Sequence, residues 1–179
     1  MIRLTEEIID DEDINNLKLW LDKSNRYTKG EETIQFEKEW SGWLGCKYSV
    51  FVNSGSSANL LVMLSMLYSG KLRNKKVIVP AVSWVTTVAP AIQLGFSPIL
   101  CDADKDDLGF DLEDFEALCK EHRPSMAVLV HVLGHSNKLN DLLKICEKYD
   151  VFLVEDTCEA YGSEFLNKKL GTFGIASTF

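Results

Sequence analysis

The sequence predicts an α/β domain, a mostly parallel sheet with helices on both faces. Two observations carry this. From Tyr48 onward, short apolar runs rich in β-branched residues alternate with segments whose apolar residues recur at helical spacing. Each short run is bounded by Gly, Pro, Asn or Asp and is too short for a helix. Alternation of this kind implies a largely parallel sheet covered by helices. Such sheets place ligands outside the carboxyl ends of their strands, so chemistry is to be sought in the polar residues that follow each strand.

Residues 1–46 read as an N-terminal helical segment of the same domain. Within Thr5–Trp43, Ile9, Asp13 and Leu17 begin one helix, and Thr33–Leu44 forms a second that ends at Gly45. Between them Ser24–Glu32 is a polar loop containing Gly30. Residues 47–179 form the α/β part, expected to be incomplete at its C-terminal end. Strands are predicted at Tyr48–Val52, Val77–Val79, Pro98–Cys101, Ala127–His131 and Phe152–Val154. The intervening helices are marked by Leu60, Leu61, Leu64 and Leu67 within Ala58–Leu67. Leu112, Phe115, Leu118 and Cys119 mark the next, and Leu139, Leu142, Leu143 and Cys146 the last. The sequence has no internal repeat and no low-complexity tract.

The 179 residues, 46% of them hydrophobic, suffice for one substantial domain with its own core. A formal net charge of −8 supplies no basic field to gather phosphates, which argues against a nucleic-acid partner. The basic cluster Lys71–Lys76 reads as a solvated turn. No apolar stretch is long enough to span a bilayer, so no membrane partner is expected. The N-terminus is acidic where an export signal would be basic and then apolar. The five cysteines (Cys46, Cys101, Cys119, Cys146, Cys158) are odd in number and form no CxxC pair. They fit reduced, buried thiols in a cytoplasmic protein.

Three constellations could carry chemistry. Asn53-Ser54-Gly55-Ser56-Ser57-Ala58-Asn59 lies between a strand and a helix. Its small residues admit a ligand to the backbone, and the first N–H groups of a helix favour an anion. An ordinary serine cap explains the same residues without a ligand. It is neither a GxGxxG fingerprint nor a Walker loop. Pro80-Ala81-Val82-Ser83-Trp84-Val85-Thr86-Thr87 follows another strand; Trp84 could lie flat against an aromatic cofactor or pack in the core. Glu155-Asp156-Thr157-Cys158-Glu159 follows the run Val151–Val154. Acidic groups there need a cation or a hydrogen-bond donor. A carboxylate facing a pyridine nitrogen would keep it protonated. Metal binding by the acidic pair is the rival, weakened by the lack of further clustered ligands. His131 and His135 have the spacing of a metal pair only on a helix, and Gly134 places a turn between them. His131 reads as packed or lining a site, and no metal ligands are assigned.

In this order the motifs resemble the DegT/StrS-type family of sugar aminotransferases, a fold-type I group dependent on pyridoxal phosphate. The resemblance runs from Leu4 to Phe179. It takes in Thr28-Lys29-Gly30, Phe36-Glu37, Leu44–Tyr48, Asn53–Ala58, Pro80…Trp84, His131–Gly134, Glu155–Gly162 and Gly171–Gly174. It implies the large cofactor-binding domain of that fold, truncated, with the small C-terminal domain missing. It implies pyridoxal 5'-phosphate or pyridoxamine 5'-phosphate as cofactor, with Gly55, Ser56 and Ser57 at its phosphate, Trp84 stacked on its ring and Asp156 at its ring nitrogen. Glu159 would lie near the ring's 3-hydroxyl. A nucleotide-linked keto-sugar substrate and a homodimer with shared sites follow from the same resemblance, as does a role in lipopolysaccharide, O-antigen or other glycan biosynthesis.

Two departures qualify it. Glutamate stands at position 159 where the family's aminotransferases usually have glutamine. With Ser54–Leu60 it resembles the deoxysugar 3-dehydratase branch, in which a histidine replaces the cofactor-binding lysine. That lysine or histidine is expected beyond Phe179, so the chain supplies no catalytic residue of its own; Lys168 and Lys169, read as lying in a turn between strands, are poor substitutes. The alternatives to an aminotransferase are therefore a keto-deoxysugar 3-dehydratase, a truncated non-catalytic fragment, and an unrelated nucleotide-binding α/β module.

Overall fold

A computed structural model describes residues 6–23 and 26–179. The expected start of the resemblance at Leu4, the first residue of the helical segment at Thr5 and the beginning of the Ser24–Glu32 loop lie outside them. Helices α1 (Asp11–Lys23) and α2 (Glu31–Leu44) come first, then α3 (Gly55–Tyr68). The chain continues through β1 (Lys76–Pro80), α4 (Val85–Gln93), β2 (Ser97–Cys101), α5 (Leu112–His122) and β3 (Met126–Val130). It closes with α6 (Leu139–Tyr149), β4 (Phe152–Asp156), the short pair β5 (Glu164–Phe165) and β6 (Lys168–Lys169), and β7 (Ala176–Thr178). The main sheet has the order β2-β1-β3-β4-β7, and every pairing in it is parallel.

Because side chains alternate across a strand, each strand divides its residues between two cores. Val77, Val79, Met126, Val128 and Val154 meet Met63 and Met66 of α3 and Ala91 of α4. Ile78, Ala127, Leu129 and Leu153 meet Phe115 and Cys119 of α5 and Leu142 and Cys146 of α6. The helices thus cover both faces, as the sequence predicts. The same parity decides the chemistry further along β4. Asp156 continues the Val154 side towards α3, whereas Glu155 continues the Leu153 side.

The register of the expected strands is right for four of five, with ends displaced by a residue or two. β3 ends at Val130, so His131 lies just past it, and β4 runs through Asp156, so the acidic pair belongs to the strand. Tyr48–Val52 is not a strand. Tyr48 is 77% exposed, and the Phe51 N–H is taken by the Glu37 carboxylate at 2.9 Å rather than by a neighbouring strand. A β-branched run becomes a strand only where a sheet edge receives it. The Lys29 hydrogen bond, with that from Phe51, holds the Glu37 carboxyl below its ordinary value.

Other expectations need correction. Leu166 and Asn167, both at positive φ, form the tight turn between β5 and β6; Lys168 and Lys169 lie in β6 rather than in the turn. Within Lys71–Lys76, Arg73 is not merely solvated: its guanidinium donates to Tyr149 O and Pro124 O and to both the backbone and the carboxylate of Asp150. Cys101, Cys119 and Cys146 are buried, but Cys158 is exposed and Cys46 half-buried. Burial pushes the Cys119 and Cys146 thiols up to about 12, consistent with inert core groups. Among the described residues no helix is long and apolar enough to cross a membrane.

Candidate functional site

Four chain segments meet at the carboxyl edge of the sheet. The first is the start of α3. Ser54 caps it in an extended conformation, its hydroxyl oxygen accepting the Ser57 N–H at 3.2 Å. The ordinary cap is therefore present, but it occupies only the Ser57 donor. Gly55 and Ser56 are exposed, and a side chain built at Gly55 would meet nothing within 4 Å. The first turn thus keeps backbone N–H groups open to a ligand at the positive end of the helix dipole.

The second segment is the loop into α4. Sequence reasoning missed this helix because Val85, Thr86, Thr87 and Val88 favour strands and Pro90 disfavours a helix interior. Pro90 carries no N–H for the carbonyl of Thr86, four residues earlier. The Asn59 Nδ2 group donates to that carbonyl instead, at 3.3 Å. Trp84 stands at the start of α4, 77% exposed, so it is not a core aromatic.

The third is the end of β4, where the acidic pair divides. Glu155 is wholly buried and accepts four donors. His131 Nε2 at 3.0 Å and Gly171 N at 2.8 Å share Oε2, and Phe173 N at 2.7 Å and Gly174 N at 2.6 Å share Oε1. Burial pushes its carboxyl up, but the hydrogen bonds from His131, Gly174 and Gly171 outweigh that and hold it below the ordinary value. Glu155 and His131 are therefore a structural clasp for residues 171–174. Since Glu155 and Asp156 point to opposite faces, they cannot chelate one metal together. His131 is the packed histidine of the two readings, and the 3-10 turn Val132–Gly134 separates it from His135.

Asp156 is only 4% exposed. Its Oδ2 accepts from Asn59 Nδ2 at 2.9 Å and its Oδ1 from the Cys158 N–H at 3.2 Å. Each oxygen keeps a further lone pair. Among the described residues no Lys, Arg or His forms an ion pair with it. An uncompensated buried carboxylate is costly, so a cationic or N–H-bearing ligand fits here. Glu159, three residues on, is exposed and accepts the Leu133 N–H at 2.7 Å.

The fourth is the end of β7, where Thr178 donates to Asn59 Oδ1 at 2.7 Å and its carbonyl accepts from Thr157 N. Asn59 thus joins all four segments. Sequence reasoning assigns Asn59 no role of its own; a polar residue one turn into an otherwise apolar helix is the signal that could find it. The two terminal lysines are occupied elsewhere, Lys168 on Thr172 O and Lys169 over the Trp43 ring.

Comparison with known proteins finds relatives along nearly the whole chain. Residues 7–179 fit the DegT/DnrJ/EryC1/StrS aminotransferase family. The GDP-4-keto-6-deoxy-D-mannose 3-dehydratase of Yersinia pseudotuberculosis is 38% identical over 173 residues, which are 95% of this chain and 44% of the relative. The E. coli GDP-4-keto-6-deoxy-D-mannose 3-dehydratase, solved with hydrated pyridoxal phosphate, superposes with a TM-score of 0.84 at 34% identity. That match covers 96% of this chain and 44% of the other. Helicobacter pylori PseC, an aminotransferase of pseudoaminic acid biosynthesis, gives 0.88 at 28% identity, over 98% and 46%. The chain spans less than half the length of these relatives. With the family fitted over nearly all of its length and the fold shared with solved members, the chain belongs to the DegT/DnrJ/EryC1/StrS aminotransferase family.

Proposed function

We propose that this chain forms the cofactor-binding domain of a pyridoxal-phosphate enzyme acting on nucleotide-linked keto-sugars, in glycan or lipopolysaccharide biosynthesis. One observation carries the reading. Asp156 is a nearly buried carboxylate without a basic partner among the described residues, held through Asn59 to a helix whose first turn is open to an anion. A ligand with a phosphate at one end and a protonated ring nitrogen at the other satisfies both needs.

When bound, this cofactor draws electrons from the carbon next to its amine and so eases proton removal there. The chain's own residues hold it. The N–H groups of Gly55 and Ser56 and the Ser57 hydroxyl receive the phosphate, Trp84 offers a flat exposed face to the ring, and Asp156 keeps the proton on the ring nitrogen. Glu159 is assigned to the side of the 3-hydroxyl. Helices α1 and α2 serve as a flank, with Trp43 of α2 stacked on Tyr161 at 4.7 Å. The assembled enzyme in this reading is a cytoplasmic homodimer.

Between the two reactions of such relatives, 3-dehydration is favoured over amino transfer by the serine-rich start of α3 followed by Asn59, and by Glu159. The dehydratase relatives also share more of the sequence than the aminotransferase does.

Titration of the protein with pyridoxal phosphate, followed by tryptophan fluorescence, tests the reading. Saturable quenching is expected, weakened about tenfold or more in Asp156→Ala, because a hydrogen bond to a charged group is lost. No saturable binding, or equal affinity in the variant, overturns it.

A further inference from the structure

We infer that Asn59 is a positioning residue that locks the Asp156 carboxylate to the first turn of α3, so that the anion-binding and carboxylate ends of the site act as one unit. The inference rests on the function proposed above, and it gives Asn59 a part in that site beyond filling the core.

Asn59 is buried on the apolar side of α3, one position into its second turn, and each of its bonds reaches a different element. Its amide orientation is dictated by chemistry. Thr86 O and the Asp156 carboxylate can only accept, so both must face Nδ2, and the Thr178 hydroxyl then donates to Oδ1. The Thr86 carbonyl is open to Asn59 because Pro90 cannot supply the usual helical donor. The Thr178 carbonyl is in turn held by Thr157, the residue after Asp156. A closed ring of bonds therefore ties α3, β4 and β7 around one amide, and the same amide holds α4 through Thr86.

For Asp156 the consequence is orientation. Asn59 holds Oδ2 and the Cys158 N–H holds Oδ1, so the carboxylate plane cannot turn about its own bond without breaking one of them. Asn59 also sits in the helix whose first turn carries Ser56 and Ser57. The separation of carboxylate and anion-binding N–H groups is then set by one rigid helical segment and one hydrogen bond. A ligand that uses both ends gains from this preorganisation, whereas a ligand that uses only the helix start does not.

The test measures affinities for pyridoxal phosphate and, separately, for inorganic phosphate in the wild type, Asn59→Leu, Asp156→Ala and the double variant. Asn59→Leu is expected to weaken pyridoxal phosphate about tenfold and to leave inorganic phosphate unchanged. The double variant should bind no more weakly than Asp156→Ala alone, since Asn59 acts through Asp156. A residue that merely packs the core would not produce this non-additivity. Unchanged pyridoxal phosphate affinity in Asn59→Leu, or losses that multiply in the double variant, overturns the inference. If Asn59→Leu fails to fold, Thr178→Val decides. It removes only the donor to Oδ1 and should weaken pyridoxal phosphate a few-fold, again sparing inorganic phosphate; wild-type affinity there overturns the inference. A wild type that does not bind pyridoxal phosphate refutes the proposed function itself, a result distinct from either.

Discussion

Replacing Glu155 by glutamine removes a charge and changes the shape of nothing, so its effect isolates the clasp at the end of β4. The carboxylate accepts four N–H groups, two on each oxygen. A glutamine amide turned towards Phe173 and Gly174 would face two backbone donors that cannot reverse. Turned towards His131, it meets a ring nitrogen that can accept in its other tautomer, but the Gly171 N–H is left without a partner and the ring proton moves to Nδ1, which is buried with no partner either. Each of these buried donors costs about 1–3 kcal/mol, and the remaining bonds lose their charge-assisted strength, about 1 kcal/mol each. Relief from burying a charge offsets part of this. A net loss of about 2–4 kcal/mol is expected, lowering the thermal midpoint of a chain this size by roughly 5–15 °C. Urea unfolding at neutral pH measures it. The sign with pH also follows. Glu155 is held below its ordinary value of 4.5, so its contribution is complete above that value in the unfolded chain and is lost as pH falls through the lowered one. The gap between wild type and Glu155→Gln should be constant above about pH 4.5 and close in stronger acid. A variant within about 0.5 kcal/mol of wild type, or a gap indifferent to acid, would refute the reasoning.

Two further substitutions probe the frame around the site. In Gly174→Ala the new methyl group would collide with the Leu153 carbonyl oxygen, which accepts the Ile175 N–H just before the β4–β7 pairing begins; a loss of about 2 kcal/mol or more in unfolding free energy is expected, and a neutral result would mean that β7 shifts without cost. Arg73→Lys keeps the charge but loses the planar fork that reaches Pro124, Tyr149 and Asp150. Urea denaturation should show a loss of about 1–2 kcal/mol, most of that seen in Arg73→Ala; full retention of stability by lysine would show that charge alone suffices.

The fold class was legible because strand and helix periods alternate so regularly, and β1, β2, β3 and β4 fell where apolar runs were bounded by turn residues. Tyr48–Val52 had the same local signal but found no sheet edge, which no local pattern reports. Helix α4 was hidden for the converse reason. Its β-branched start and internal Pro90 argue against a helix, and tertiary packing of Thr87, Pro90 and Ala91 overrides them. In the candidate site, the helix start at Ser54–Ser57 and the place of Trp84 after β1 could be read from the sequence. Ser54–Ser57 follow no strand, however, and Asp156 lies within β4 rather than after it. The opposite fates of Glu155 and Asp156 needed the end of β4 to be placed. A shift of one residue in that end decides which acid faces α3 and which closes the clasp. Asn59 was concealed by its position within an apolar helix, since its partners come from residues 86, 156 and 178.

The central claim is that one ligand spans the start of α3 and Asp156. A crystal structure of the protein soaked with pyridoxal phosphate tests it most directly. The account predicts phosphate density at the Gly55, Ser56 and Ser57 backbone, the ring against Trp84, and the ring nitrogen within hydrogen-bond distance of Asp156. Phosphate bound elsewhere, or a ring nitrogen turned away from Asp156, would contradict it.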